Sequence, residues 1–282
     1  MNNQPRLGVS DALYLKPLLS GLDGPDSPFG LLSEIPAGIA RKFSDRPEDV
    51  RGAFLSPIDY GRHGGMYQII PGIAVSSAVP TRTVQLFIRE GVSNIRTMAV
   101  DIRVTSEIIL AKIILLEKFP NLSGTNGMQF VPMLPDVTAM LAKSDAALIA
   151  RVAPGVAVQR SGFSLDLVEE WNDLTGLPYV HGLWVVREGH FTSEEAEVLL
   201  ASKVSGLHER PALAERWAAA YGMSTDECRE YLSSFSYDLG ENEEQSLSEF
   251  FRFAYYHGVL GDVPDVNFMP LELPPSPPVL PN

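Results

Sequence analysis

The chain has 282 residues, 45% apolar and 20% charged, which is enough for two modest lobes with cores of their own. A net charge of −13 argues against general nucleic-acid binding, which draws its affinity from basic surface; it leaves open a single pocket made locally positive by helix N-termini and one or two Arg residues. The opening MNNQPRLGVSDALYL has no basic segment followed by an apolar one, and the longest apolar runs, such as 108–116, fall short of the roughly 20 residues of a membrane span, so a cytoplasmic globular protein is expected.

Residues 6–10 read as a short strand and 13–21 as a helix with Pro17 in its first turn, where a missing N–H costs little. A Gly/Pro/Asp loop over 23–28 leads to a strand at 29–33, a helix at 36–42 and a strand at 53–56. Pro57 then opens a short helix carrying Ile58, Asp59 and Tyr60. This alternation predicts a mostly parallel sheet. Strands follow at 67–75 and 83–89, the second with Val84, Leu86 and Ile88 on one face. A second unit starts with a strand at 96–100 and continues through an apolar-striped helix at 105–119, a strand at 128–133, a helix at 135–142 and a strand at 146–150.

The least ambiguous stretch is 166–189, DLVEEWNDLTGLPYVHGLWVVREG. Leu167, Trp171 and Leu174 recur at helical spacing, Gly176 stands where a left-handed cap is expected, and Pro178 prevents continuation; a buried strand follows at 179–186. The remainder reads as helices at 193–206, 211–221, 224–232 and 243–256. Cys228, the only cysteine, sits in the capping-box helix start STDECREYL and is read as a structural thiol; one cysteine excludes an intramolecular disulfide and a cysteine-based zinc site. The prolines of the closing LELPPSPPVLPN exclude helix and central strand and leave an extended tail.

The expected architecture is therefore α/β, with two lobes of mostly parallel sheet and a cleft between them at the carboxyl ends of the strands. Residues 5–88 with 188–263 form one lobe in this reading and 89–187 the other, with hinge crossings near Arg89 and Arg187 and a Pro-rich tail at 264–282.

Four ordered segments carry a family resemblance: RLGVSDALYLKPLLSGL at the start, FLSPIDYGRHGGMYQIIPGIAVSS from Phe54, FVPMLPDVTAMLAKSDAALI from Phe130, and the helix–turn–strand from Asp166. Together they resemble the chorismate dehydratases of the futalosine route to menaquinone, whose fold is that of the type II periplasmic-binding proteins. The resemblance implies a hydro-lyase that takes chorismate to 3-(1-carboxyvinyloxy)benzoate with no metal or organic cofactor. The chain has no HxH, HExxH or CxxC spacing. The alternatives are the sister activity that releases 1,4-dihydroxy-6-naphthoate from a cyclic futalosine derivative, and a non-catalytic binding protein for a small carboxylate. A homodimer is the prior for the assembly.

Carried onto this chain, Ser56 at a strand end before Pro57 is either a carboxylate anchor or a plain N-cap, and Thr105 and Ser106 at the start of the long helix have the same two readings. As the resemblance has it, the second pair faces Ser56 from the opposite side of the cleft. Thr83 falls where the family carries a small hydroxyl, and Tyr14 where it carries an Asn, replacing an amide by a long phenol. Arg103 stands in a shortened Thr-Ser turn, and Arg151 follows Ala150 where the family has Gly-Asp. Asp11 is either a general base or the cap of the following helix; Arg82 and Arg103 are either ligand cations or surface residues. His63 reads as a partner of a helix C-terminus, and His181 as a core or cleft-wall histidine with one satisfied hydrogen bond.

Overall fold

Two five-stranded sheets organise the chain in this computed structural model, which describes residues 4–63, 65–123, 127–150 and 163–271. The first contains β1 (Arg6–Val9), β2 (Gly30–Ser33), β3 (Val50–Leu55), β4 (Tyr67–Ser77) and β10 (Tyr179–Arg187), in the order β2-β1-β3-β10-β4. The second contains β5 (Val84–Ile88), β6 (Thr97–Asp101), β7 (Gln129–Met133), β8 (Ala146–Ala150) and β9 (Phe163–Asp166), in the order β7-β6-β8-β5-β9. β2, β1 and β3 pair in parallel, while β10 is antiparallel to both β3 and β4. β7, β6 and β8 are likewise parallel, while β5 is antiparallel to both β8 and β9. Each sheet therefore has four strands running one way and one reversed strand beside an edge strand.

Both reversed strands correct the expected lobe boundaries. β5 belongs to the second sheet, where Val84 pairs with Ala150, and β10 returns to the first, where Leu183 pairs with Leu55. The chain passes between the sheets over 78–83 and 167–178, ahead of each of these strands, and not at Arg89 and Arg187 behind them.

The helices are α1 (Pro36–Asp45), α2 (Pro57–Gly61), α3 (Ser106–Lys118), α4 (Val137–Lys143), α5 (Leu167–Thr175), α6 (Ser193–His208), α7 (Arg210–Trp217), α8 (Thr225–Ser233) and α9 (Glu241–Tyr256). α3 buries Ile109, Leu110, Ile113, Ile114 and Leu115, a face too wide for a solvent-lying helix, because it packs against α2, α5 and α9 as well as β8. The main apolar cluster spans both sheets: Leu55, Ile69 and Leu183 of the first belong to it together with Leu86 and Leu148 of the second and with Ile113 and Trp171 of the helices. Asp166 caps α5 by accepting from Val168 N and Glu169 N, and Gly176 ends it at φ 72°, a conformation that favours glycine. Trp171 is fully buried, and its Nε1 donates to Ser246 Oγ on α9 at 3.1 Å.

Local expectations fail where proline or short length intervenes. Leu13–Leu19 is a 3-10 helix with Pro17 inside it, since an α-helical Pro17 would meet the carbonyl of Leu13. The helix expected at 211–221 is α7 followed by a 3-10 turn, Ala219–Tyr221. β9 was not expected. The beginning of the expected tail is tied down: Ile69 N donates to Asn267 O at 2.8 Å, Met269 N to Ile69 O at 2.9 Å, and Tyr60 Oη to Asp265 O at 2.8 Å. Residues 272–282 and Arg151 lie outside the described residues.

Candidate functional site between the sheets

The N-termini of α2 and α3 meet at the junction of the two sheets. Ser56 is the N-cap of α2, and its hydroxyl donates to Asp59 Oδ2 at 2.6 Å. Thr105 Oγ1 donates to Ser56 Oγ at 3.2 Å, and Ser106 Oγ accepts from Ile58 N at 3.0 Å. Ser56, Thr105 and Ser106 are thus brought together, but onto one spot instead of across a cleft from one another. With its hydroxyl turned to Ser56, Thr105 makes no side-chain cap on its own helix; its backbone N–H is taken by Glu107 Oε2 at 2.8 Å. Asp59 is buried, and desolvation raises its carboxyl above the ordinary range, against the opposing pull of Ser56, Arg62 and Thr105.

A second group of polar and aromatic side chains adjoins the first. Tyr179, at the start of β10, has its phenol close to Ser106, and full burial, with Glu107 and Tyr14 nearby, pushes it well above the usual value. Its ring lies 5.0 Å from that of His181. His181 Nε2 and Ser77 Oγ, at the end of β4, are 2.8 Å apart, and burial lowers the imidazole from 6.5 to about 3. Tyr14 and Phe235 stand over the same imidazole at 5.5 and 5.3 Å. Phe235 in turn stacks edgewise on Tyr231 of α8, whose hydroxyl is 3.3 Å from Thr83 Oγ1. The buried Tyr237 hydroxyl, raised by desolvation, has no hydrogen-bond partner among the described residues. A set of neighbouring side chains therefore runs from Ser56 and Thr105 through Ser106, Tyr179, His181, Tyr14, Phe235 and Tyr231 to Thr83, which stands at the end of the first passage between the sheets.

Other expected site residues lie outside this set. Asp11 accepts from Lys16 Nζ at 2.9 Å and Tyr221 Oη at 2.6 Å, with its side chain 69% exposed, so its neighbours hold it at the surface. Arg103 places Nε and Nη2 on the fully buried Asp101, at 2.9 and 2.6 Å, and donates to Ala150 O; that carboxylate already matches its charge. Arg82 is exposed and adopts φ 55°, the only positive φ at a described non-glycine residue. Its N–H donates to Asp166 Oδ2 at 2.7 Å, and it borders a cavity of about 430 Å³ with Thr81, Glu227, Glu230 and Tyr231. His63 ends next to the Tyr67 ring at 5.3 Å.

Sequence reasoning did not single out Ser77, Tyr179, Tyr231 or Phe235, and passed over Asp59 as a helix residue. Ser56-x-x-Asp59 is a readable capping pattern, whereas Ser77 meets His181 and Thr83 meets Tyr231 across more than a hundred positions of chain, which leaves no local signal. Among the described residues no group of three or more His, Cys, Asp or Glu side chains gathers for a metal ion, and no helix is long and apolar enough to cross a membrane.

The protein AF1704 from Archaeoglobus fulgidus has a similar structure, with TM-score 0.73 and 18% identity over 92% of this chain and 99% of that one. The periplasmic aliphatic sulphonate-binding protein SsuA from Escherichia coli follows with TM-score 0.63 and 13% identity over 100% and 99%. The Candida albicans CA3427 product, which has the generic periplasmic-binding-protein fold, gives 0.60 and 10% over 95% and 98%. The fold is thus that of the type II periplasmic-binding proteins, as the four sequence segments implied. A family model described as menaquinone biosynthesis matches residues 5–256. The chain belongs to the menaquinone biosynthesis family.

Proposed function

We propose that the protein is a hydro-lyase of the chorismate dehydratase type, acting in the cytoplasm on chorismate bound at the junction of the two sheets. The observation that carries this reading is the start of α3: a thirteen-residue helix whose N-cap hydroxyl is turned away from it, beside Ser56, Ser106 and a wall of aromatic rings, in a chain of this family. A helix N-terminus and serine or threonine hydroxyls suit a carboxylate; Tyr14, Tyr179 and Phe235 suit the faces of an unsaturated ring. Asp59 belongs to the same cluster, its carboxyl raised by desolvation and held by Ser56 and by Arg62 at 3.8 Å.

The reaction removes one ring proton and the neighbouring hydroxyl. The C–H electron pair becomes the new ring double bond, the C–O bond breaks, and water leaves. Aromatisation supplies the driving force, so the protein has to hold the diene in one conformation and handle one proton. Thr83 and Tyr231 supply hydroxyls at one end of the contact set, and Ser56 and Thr105 at the other.

The test is incubation of the purified protein with chorismate, following loss of the diene absorbance and the mass of the product. A product one water lighter supports the lyase. Binding without any product refutes it in favour of a non-catalytic carboxylate-binding protein.

A further inference from the structure

We propose that His181 is the catalytic base of this site, taking the ring proton on Nδ1, and that Ser77 is the positioning residue that fixes its ring. The proposal rests on the dehydratase reading above and assigns its proton transfer. Of the chain's five histidines, His181 is the buried one, 7% exposed; the other four are half-buried or exposed. Ser77 holds Nε2 at 2.8 Å, whereas Nδ1 makes no hydrogen bond to any described residue. Rings on three sides fix the imidazole plane: Tyr14 from the 3-10 helix, Tyr179 two positions earlier on β10, and Phe235 beyond α8. The pair joins β4 to β10, next to the passage that leads to Thr83.

For Nδ1 to act as base, Nε2 keeps the hydrogen and donates it to Ser77 Oγ. Nδ1 then takes the proton from the ring carbon, the C–H pair forms the double bond, and the hydroxyl leaves with the C–O pair. The imidazolium returns its proton to that oxygen, so the products are the aromatic dicarboxylate, water and a neutral imidazole. No oxidant, reductant or metal enters the balance.

Burial keeps His181 uncharged and a weak base. The groups around it are neutral: Ser77 on β4, Tyr14 and Phe235 on the elements above, Tyr179 on its own strand, and Tyr231 beyond Phe235. The carboxylates of the elements around it are Asp59 on α2, with Arg62 beside it, Glu107 on α3, and Glu243 on α9, which accepts from Ser76 Oγ at 2.9 Å. A bound dicarboxylate adds negative charge next to the imidazole and favours its protonated form, which strengthens the base when substrate is present.

The experiment compares wild type with His181→Gln, His181→Ala and Ser77→Ala. It reads kcat, substrate affinity by titration calorimetry, the pH profile and rescue by added imidazole. The expected result for His181→Gln is a fall in kcat of ~10²- to 10⁴-fold, the usual contribution of a general base, with affinity changed by less than about 3-fold. Imidazole should restore part of the His181→Ala activity, and Ser77→Ala should lower kcat and shift the pH profile. If His181→Gln keeps kcat within about 3-fold of wild type, or imidazole rescues nothing, or Ser77→Ala leaves the pH profile in place, the assignment is overturned while the dehydratase reading stands. A wild-type protein without turnover overturns both.

Discussion

Lowering the pH should cost this fold stability through one side chain, His181. In the unfolded chain its imidazole titrates near 6.5, whereas in the fold burial lowers it to about 3. Between those values the unfolded state binds a proton that the folded state refuses. The stabilising contribution is therefore complete above 6.5 and is lost as the pH falls from there toward 3. At about 1.4 kcal/mol per pH unit, three and a half units come to about 5 kcal/mol. Between pH 8 and pH 5, where only the unfolded chain takes up the proton, the loss is about 2 kcal/mol. Urea unfolding of wild type and His181→Gln at pH 8, 6.5 and 5 measures it, because carboxylates and other histidines titrate alike in both proteins and cancel in the difference. Wild type should lose about 2 kcal/mol against the Gln variant across this range. A difference that stays flat with pH would show that the imidazole is not sealed from water, and would refute the reasoning.

Asp59 carries the opposite sign. Burial raises its carboxyl, so wild type is most stable relative to Asp59→Asn below the ordinary carboxylate value and loses ground as pH rises through the folded-state value; unfolding from pH 4 to pH 8 should show that loss, and a gain would contradict it. Gly206 on α6 has its missing Cβ 1.8 Å from the carbonyl oxygen of Pro17, a backbone atom that cannot swing aside. Gly206→Ala should cost about 3 kcal/mol in chemical denaturation, and a loss under about 1 would mean that the two helices part easily. Asp166→Ala removes the acceptor of Arg82 N, Val168 N and Glu169 N; a loss of about 2 kcal/mol is expected in thermal unfolding, with Asp166→Asn in between, and an unchanged melting temperature would mean that solvent takes over all three donors.

Local chemistry made much of the fold legible. Asp166, Gly176 and Pro178 mark the start, stop and exit of α5, and the helix and strand they imply are both present. Ser224 with Glu227 closes the expected capping box on α8, and Cys228 is buried in that helix. What local chemistry does not encode is which sheet receives a strand. Val84, Leu86 and Ile88 would suit a pleated, half-buried surface in either sheet, and only the pairing with Ala150, Leu148 and Ala146 places them in the second. β10 is apolar along nearly its whole length for the same reason that a parallel core strand would be: it is covered on both faces. β9 has four residues, of which Phe163 and Ser164 are exposed, so it has no pattern to detect. Within the site, helix-start hydroxyls could be read from sequence, and Ser56, Thr105 and Ser106 do come together. Asp11 followed the same grammar, but Lys16 and Tyr221 claim its carboxylate at the surface.

The reversed strands explain why the polar groups gather where they do. A chain that crosses from one sheet to the other and later returns brings its two passages side by side, because β10 lies beside β4, the strand that leads to β5. Ser77 ends the outward strand and Thr83 stands at the entry to the next; Tyr179 and His181 begin the returning one. Four residues from 77 to 181 are thereby held at one junction by backbone pairing before any side-chain contact is made. α2 and α3 add their N-termini, one from each sheet, and Ser56 and Thr105 bond across the seam. Parallel strands end their hydrogen-bonding groups together at such a junction, so a ligand bound there as proposed would meet donors on both sides. Polar bonds across the seam, among them Ser56 to Thr105, Ile58 to Ser106 and Thr83 to Tyr231, must rearrange if the sheets move relative to one another. Under the proposed function, ligand contacts and sheet movement would therefore act on the same few hydroxyls.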